Sequence, residues 1–359
     1  MKKQQEARKM RKQGFAFGML LALPLFAHPA LADDAVSDAT QPAAPATDSG
    51  AARDALTQKA GDASTEKNLE QVFQASEKTY SLLKAGKVGL LFDVDYSYYR
   101  DSRIDIAISD SSSQLTRFRI EEDAQNTFTN SLELSYGVWD NLTFTTSLPL
   151  IAKFDTQNDL NTYGLGDISF GVRWQPIPLK RGLPTTTLFA SLSTATGDSP
   201  YDVNVSQDLS TGKGYYSLSA GASVSKVTDP IVLFASASFS TNSRISDLNQ
   251  ARGSRVLTTV EPGDSLGFSM GFAYALNYDV SMTASYQQSY SFSSTYEFSN
   301  ADLVNTAPQV SGSLNFSLGL RTNADRIVNL SLGYGLTEDT PDITLGFSMP
   351  IDFLGSSGE

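Results

Sequence analysis

The chain has 359 residues, with 27 lysines and arginines against 39 aspartates and glutamates, and a formal net charge of -12 at pH 7. This acidic balance argues against nucleic acid as a partner, because phosphate backbones recruit basic side chains. The absence of cysteine excludes disulfides, thiol catalysis and lipid attachment through a cysteine.

The first 32 residues have the pattern of a secretory signal peptide. A basic region over residues 2–12 precedes an apolar run over residues 15–27, and Ala30, Leu31 and Ala32 form a small-residue cleavage site. His28, the single histidine of the chain, would be removed with this leader. Without imidazole or thiol, Ser-His and Cys-His catalysis and conventional zinc, copper or haem sites are excluded. We therefore predict that the mature protein is not an enzyme and has no cofactor.

Two short regions follow the leader. Residues 33–64 are rich in Ala, Asp, Thr and Pro, which predicts a disordered periplasmic linker. Residues 65–86 have the pattern of one amphipathic helix, capped by Ser64 and ended by Gly86. Because an isolated helix of this length is marginal in water, it should dock, either as a plug in a barrel mouth, on the barrel rim, or against another copy. Its apolar face comprises Leu69, Val72, Phe73, Tyr80 and Leu83.

From residue 87 to the end, apolar and polar residues alternate with the period of a β-strand. Phe268, Met270 and Phe272, for example, are separated by Ser, Gly and other small residues. Because the second face is polar, the strands suit a membrane barrel with lipid outside and a polar lumen. We predict a transmembrane antiparallel up-and-down β-barrel, all-β apart from the preceding helix, of about twelve strands. The predicted strands are 88–99, 126–138, 141–154, 165–175, 185–196, 214–226, 231–241, 265–276, 278–292, 309–321, 326–336 and 343–353.

The connections alternate between tight turns and long polar loops. Tight turns belong on the periplasmic side of the bacterial outer membrane and long loops outside, so both termini should be periplasmic. The last strand ends near Phe353, and an aromatic residue at the end of a terminal strand resembles the signal for the barrel-assembly machinery. Outer-membrane lipid and that machinery are the expected partners.

Five charged residues fall on the polar phase of the first four predicted strands. If even-numbered residues face lipid there, these five face the lumen, where charges set the selectivity of a pore. They could equally form ion pairs that only stabilise the barrel. The five are Asp93, Asp95, Glu133, Lys153 and Arg173.

Short motifs resemble those of the transporter-like outer-membrane proteins grouped with the phenol meta-pathway proteins and with the Fap-type functional-amyloid secretion channel. The motifs are residues 77–87, residues 95–105, Gly-Leu-Gly-Asp-Ile at 164–168 and Thr-Gly-Asp at 196–198. The resemblance implies a twelve-stranded channel, a plugging helix before the first strand, and passage or export of a substrate.

The sequence thus favours an outer-membrane channel that is gated by an N-terminal helix. Its substrate would be a small hydrophobic or aromatic solute or a secreted polypeptide, and the barrel could form a homo-oligomer. The alternative is a non-conducting structural barrel that displays its long loops to surface partners. A secreted soluble sandwich is disfavoured because one of its faces would bury Ser, Thr, Asn and Gln.

Overall fold

The computed structural model describes residues 82–100, 106–109, 115–118, 126–156, 159–177, 183–203, 208–228, 231–252, 255–277, 279–299, 303–323 and 326–351. The predicted signal peptide, the linker and residues 65–81 of the predicted helix lie outside this range. In the described part, no helix is long and apolar enough to span a membrane. The strands are β1 Val88–Tyr98, β2 Ile106–Ser109, β3 Leu115–Phe118, β4 Asn126–Trp139, β5 Leu142–Asp155, β6 Leu160–Leu165, β7 Ser169–Trp174, β8 Thr185–Ser193, β9 Ser217–Thr228, β10 Ile231–Asn242, β11 Gln250–Arg252, β12 Arg255–Glu261, β13 Ser265–Ala275, β14 Val280–Ser291, β15 Thr295–Phe298, β16 Leu303–Asn305, β17 Gln309–Asn323, β18 Arg326–Gly335 and β19 Ile343–Ile351.

The long strands pair antiparallel into one closed sheet. β1 pairs with β4 on one edge and with β19 on the other, which closes the ring. β6 and β7 pair with successive halves of β5 and together make one broken strand, so the wall has twelve strands. This confirms the predicted barrel. We call the end with the short connections, such as that between β4 and β5, the turn end, and the opposite end the loop end.

Alternation along each strand gives the wall two unlike faces. On β13, the outward side chains of Phe268, Met270 and Phe272 are exposed, whereas Ala273, on the inner face of the same strand, is buried. Exposed apolar side chains recur on all twelve wall strands. Water-soluble monomers rarely expose so large an apolar surface, and it matches the lipid-facing band of an outer-membrane barrel. Trp139 and Trp174 lie exposed at the turn end, where aromatic residues meet the membrane interface.

The fourth wall strand differs from the prediction of a single strand over residues 165–175. In β6 the odd-numbered Tyr163 and Leu165 face outward, whereas in β7 the even-numbered Phe170 and Val172 do so. The break at residues 166–168 therefore shifts the phase by one residue. The cause is a local loss of ladder pairing, since Gly166 N–H donates to Pro149 O but residues 167 and 168 pair with no strand.

Six short strands were not predicted from the sequence. β2 and β3 form a hairpin in the first loop-end connection. β11, β12, β15 and β16 form a separate four-stranded sheet, which we call the loop sheet, from the connections β10–β13 and β14–β17. These strands are three to seven residues long and pair across two different loops, so their polar sequences carry little periodic signal.

The two faces of β18 allow a direct test of the lipid boundary. Leu330, 45% exposed, lies outward at mid-strand, and the next residue, Ser331, lies on the inner face. We expect Leu330→Arg to lower the free energy of unfolding by roughly 2–4 kcal/mol, because a charge at the bilayer midplane is costly, and Ser331→Arg to lower it much less. Urea unfolding in lipid vesicles measures both. Equal losses in the two variants would contradict the assignment of faces.

Candidate functional site: the barrel lumen and its turn-end mouth

All five predicted lumen residues lie on the inner face of four neighbouring wall strands. Asp93 and Asp95 are on β1, Glu133 on β4, Lys153 on β5 and Arg173 on β7. We call this part of the wall the charged wall. The residues before and after each of them in the chain point outward. Glu133, for example, lies between the exposed Leu132 and Leu134 on β4.

The structure brings Glu133 and Arg173 together but leaves Lys153 apart from them. Arg173 Nη2 donates to Glu133 Oε1 at 3.3 Å, and the two side chains are largely buried, at 14% and 15% exposure. Ser135 Oγ donates to the same carboxylate oxygen at 3.4 Å. Lys153 lies opposite Thr127 of β4 in the ladder, and Thr127 is six residues from Glu133. At the rise of a strand, Lys153 therefore lies about 20 Å along the barrel wall from Glu133. The ion pair thus ties β4 to β7 across β5.

The two aspartates of β1 differ in their surroundings. Asp93 is 3% exposed, whereas Asp95, one inward position closer to the loop end, is exposed. A carboxylate that meets water on the inner face acts on solutes in the lumen through its field. Asp95 therefore meets solvent on the inner face, whereas Asp93 does not.

Residues just before β1 turn into the lumen at the turn end. Leu83 N–H donates to Thr143 Oγ1 at 2.8 Å, and Thr143 is an inner-face residue of β5 with 1% exposure. A turn then returns the chain to the wall. In it Lys87 N–H donates to Lys84 O at 3.0 Å, and Gly86 adopts φ +75, a conformation that favours glycine.

This local structure corrects the predicted end of the helix at residue 86. Leu82, Leu83 and Lys84 are not helical, because Leu83 N–H bonds to the side chain of Thr143 instead of a helical carbonyl. Of the five apolar residues predicted on the helix, Leu83 is the one within the described part of the chain. Its Cδ1 lies 3.3 Å from the position that a Cβ on Gly89 would take.

Glycines in the wall make room for this inward segment. A Cβ on Gly137 would collide with the carbonyl oxygens of Lys84 and Leu83. Gly137 also holds the segment, since Gly86 N–H donates to Gly137 O at 2.8 Å and Gly137 N–H to Lys87 O at 2.9 Å. Glycine inside a strand often marks a close backbone approach, so Gly89 and Gly137 were signals that the sequence reasoning missed.

The opposite part of the wall, on β10, β13 and β14, is uncharged. Near the turn end its inner face carries Val232, Phe234 and Ala273, which are buried together. Toward the loop end the inner positions change to serines, glycines and glutamine. We call this second stretch the hydroxyl wall, and it comprises Ser236, Ser238, Ser240, Ser265, Gly267, Ser269, Gln287, Ser289 and Ser291.

The motifs at 164–168 and 196–198 meet at the broken strand. The Asp167 carboxylate accepts N–H bonds from Gly197 at 3.0 Å and Lys213 at 2.7 Å. Thr196 Oγ1 accepts from Ile168 N–H at 2.8 Å and donates to Gly166 O at 3.0 Å. These side-chain bonds take the place of ladder bonds at the break.

Comparison with known proteins agrees with this architecture. The family described as the MetA-pathway of phenol degradation matches residues 102–353. An outer membrane channel from Pseudomonas putida F1 shares 16% identity and a TM-score of 0.55, over 76% of this chain and 98% of that chain. A toluene transporter from Ralstonia pickettii matches at 11% identity and a TM-score of 0.37, over 78% of this chain and 93% of its own. The first likeness shows a shared fold. The relation to Fap-type channels stays a prediction.

The ion pair of the charged wall predicts a stability difference between two lysine substitutions. Glu133→Lys removes the acceptor of Arg173 and sets two cations side by side, so the free energy of unfolding should fall on the order of 2 kcal/mol. Asp95→Lys, at an inner-face position outside the Glu133–Arg173 pair, should lower it less. Urea unfolding in vesicles measures both, and the swap Glu133→Arg with Arg173→Glu should recover part of the loss. Equal effects of the two lysines would show that the pair contributes nothing specific.

Proposed function

Because the chain belongs to the family described as the MetA-pathway of phenol degradation, we propose that it is an outer-membrane channel whose turn-end mouth is closed by its own N-terminal segment. The observation that carries the proposal is the inward course of Leu82 to Ala85, which begins inside the mouth and ends at the wall. The Pseudomonas putida protein of the same fold is an outer membrane channel, which supports the first part.

The chemistry of the mouth supports a plug formed by residues 65–84. A water-filled lumen favours polar inner side chains, yet Val232, Phe234 and Ala273 are apolar and face inward at the turn end. The apolar stripe predicted on residues 65–84 has the complementary chemistry. Val232, Phe234 and Ala273 are already almost fully buried, so the surface that docking would remove from water is that of the stripe on residues 65–84, at about 25 cal/mol per Å².

The proposed orientation places the loop end outside and the turn end, with both barrel termini, in the periplasm. It follows from the rule that periplasmic connections are short. In the lumen, exposed Asp95 would bias passing ions toward cations, and the hydroxyl wall would accept uncharged polar groups. The hydroxyl wall favours a small uncharged solute with a polar group, and the description of the family, which names phenol degradation, favours an aromatic one.

A second candidate is a non-conducting barrel that presents the loop sheet to a surface partner. The observation in its favour is the core of the loop sheet, in which Leu257, Val260 and Phe298 are almost fully buried. A loop-end sheet with its own core is a rigid recognition surface. Single-channel recording in planar bilayers separates the two functions, because a closed barrel gives no current steps.

Deletion of residues 65–84 should raise single-channel conductance and the permeation of large polar solutes in liposomes. The physical reason is that the truncated barrel keeps its complete ladder and loses the segment that we propose as the plug. Heat-modifiable gel mobility confirms that the variant is folded. If the folded, truncated barrel conducts no more than the full-length protein, the segment is not a plug.

A single methyl group offers an independent test in the full-length chain. Gly137→Ala directs a Cβ at the backbone of Lys84, so the mouth segment should be displaced and the open probability should rise. Gly312→Ala is the matched control, because a Cβ there would meet its nearest neighbour, Thr337, at an ordinary 3.5 Å. Equal gating of both variants in planar bilayers would mean that contact with Lys84 does not control the mouth.

A further inference from the structure

Three loop-end connections pack into one body. Tyr201 and Tyr215, from the connection between β8 and β9, share a buried core with the loop sheet. Gln250 Nε2, on β11, donates to Pro200 O of the same connection at 2.8 Å, and Gln250 is 8% exposed. The loop sheet and the described residues of the β8–β9 connection therefore form one unit, which we call the loop body.

The loop body overhangs the lumen on one side of the barrel. A partly open cavity of ≈ 280 Å³ lies between the loop body and the wall. Its lining joins Ser294 and Thr306, which flank the loop sheet, to Ser217, Ser240 and Ser265. The last three are inner-face residues at the loop ends of β9, β10 and β13. A body outside the ring would not share a cavity with inner-face side chains, so the loop body covers part of the loop-end mouth.

The first attachment of the loop body to the barrel is at the loop ends of β10, β13 and β14. These strands lead directly into the connections that form the loop sheet. Asn242 Nδ2 donates to Gly263 O at 2.7 Å, and Gly263 N–H donates to Ser294 Oγ at 2.9 Å. The three strand ends are thus bonded to one another beneath the loop sheet, and this side of the loop body is firmly held.

The second attachment is a narrow neck, formed by residues 196–198 and 211–213, where the β8–β9 connection meets the wall. Gly212 N–H donates to Asp198 O at 3.0 Å, so the two sides of the neck are bonded to each other. They also pack closely, since a Cβ on Gly197 would lie 2.7 Å from Gly212 Cα. Glycine accepts a wide range of backbone conformations and is frequent where a segment changes its path. The neck is therefore a suitable place for movement.

One carboxylate joins both sides of the neck to the broken wall strand. Asp167, in the break between β6 and β7, accepts from Gly197 N–H with Oδ1 at 3.0 Å and from Lys213 N–H with Oδ2 at 2.7 Å. Thr211 Oγ1 adds a bond to Leu165 O of β6 at 2.8 Å. Hydrogen bonds to an ionised acceptor are roughly twice as strong as neutral ones, so Asp167 makes the strongest of these contacts.

We propose that the loop body is a lid on the loop-end mouth, with its hinge on β10, β13 and β14 and its latch at Asp167. Because a single carboxylate holds both sides of the neck, its release frees the whole neck from the wall. The lid then lifts from the inner-face serines beneath it, such as Ser240, and widens the cavity. That this movement admits a solute to the lumen rests on the proposed channel function.

The test is thiol labelling of Ser240→Cys in the full-length barrel with a bulky, water-soluble polyethylene-glycol maleimide. Asp167→Asn keeps the size of the side chain and removes the ionised acceptor, so the open fraction, and with it the labelling rate, should rise roughly tenfold. Asp198→Asn is the matched control. Asp198 belongs to the same neck, but its bonds within the described part of the chain are made by its main chain.

Ser97→Cys reports on any general loosening of the barrel. Ser97 lies on the inner face of β1 near the loop end and does not line the cavity, so Asp167→Asn should leave its labelling rate unchanged. Thr211→Val, which removes the bond to Leu165 O at similar side-chain size, is a second latch variant and should also speed the labelling of Ser240→Cys. Heat-modifiable gel mobility shows which variants are folded.

The possible results separate the lid from the channel. Unchanged labelling of Ser240→Cys in the folded latch variants, or an equal rise at Ser97→Cys, overturns the lid. An equal rise with Asp198→Asn overturns Asp167 as the latch. Single-channel recording on the same preparations tests the channel independently. Faster labelling of Ser240→Cys in a barrel that gives no current leaves the lid standing and contradicts the channel function.

Discussion

The constraint on which the structure depends is that a strand inside a bilayer must satisfy every backbone polar group within the protein. Water is absent from the hydrocarbon region, so an unpaired edge would cost several kcal/mol for each free group. The chain meets this constraint by pairing β1 with β19 and so closing the wall. At the one described break in that wall, between β6 and β7, Thr196 and Asp167 supply side-chain hydrogen bonds where the ladder stops.

Closure also explains how much of the fold could be predicted from the sequence. A wall strand separates lipid from a polar lumen, so its alternation is imposed along its whole length, and Phe268, Met270 and Phe272 already reveal it. The loop sheet meets no such requirement. Its residues pair across separate loops, and its core of Leu257, Val260 and Tyr296 comes from positions too widely spaced to show a period.

For the charged wall, too, the sequence predicted which face the residues lie on but not their contacts. Alternation alone placed Asp93, Glu133 and the other charged residues on the inner face, but it could not show that Glu133 pairs with Arg173 two strands away. It could not show that Asp93 is buried while Asp95 is exposed, because both residues lie on the same face of β1. The phase shift at residues 166–168 was missed since it arises from the contact with Pro149 and the loop around Thr196. These features are properties of tertiary contacts.

The lumen is unequal on its two sides, and this inequality suits the proposed passage of a small solute. Paired charges tie together the strands next to the N-terminal segment, whereas β10, β13 and β14 offer hydroxyl groups without charge. The most direct test of the underlying two-faced wall is thiol labelling, since the chain has no native cysteine. In intact vesicles, a membrane-impermeant, water-soluble maleimide should modify Ser269→Cys, on the inner face of β13, and spare its neighbour Met270→Cys in lipid. Equal modification of both cysteines in the folded barrel would contradict the account.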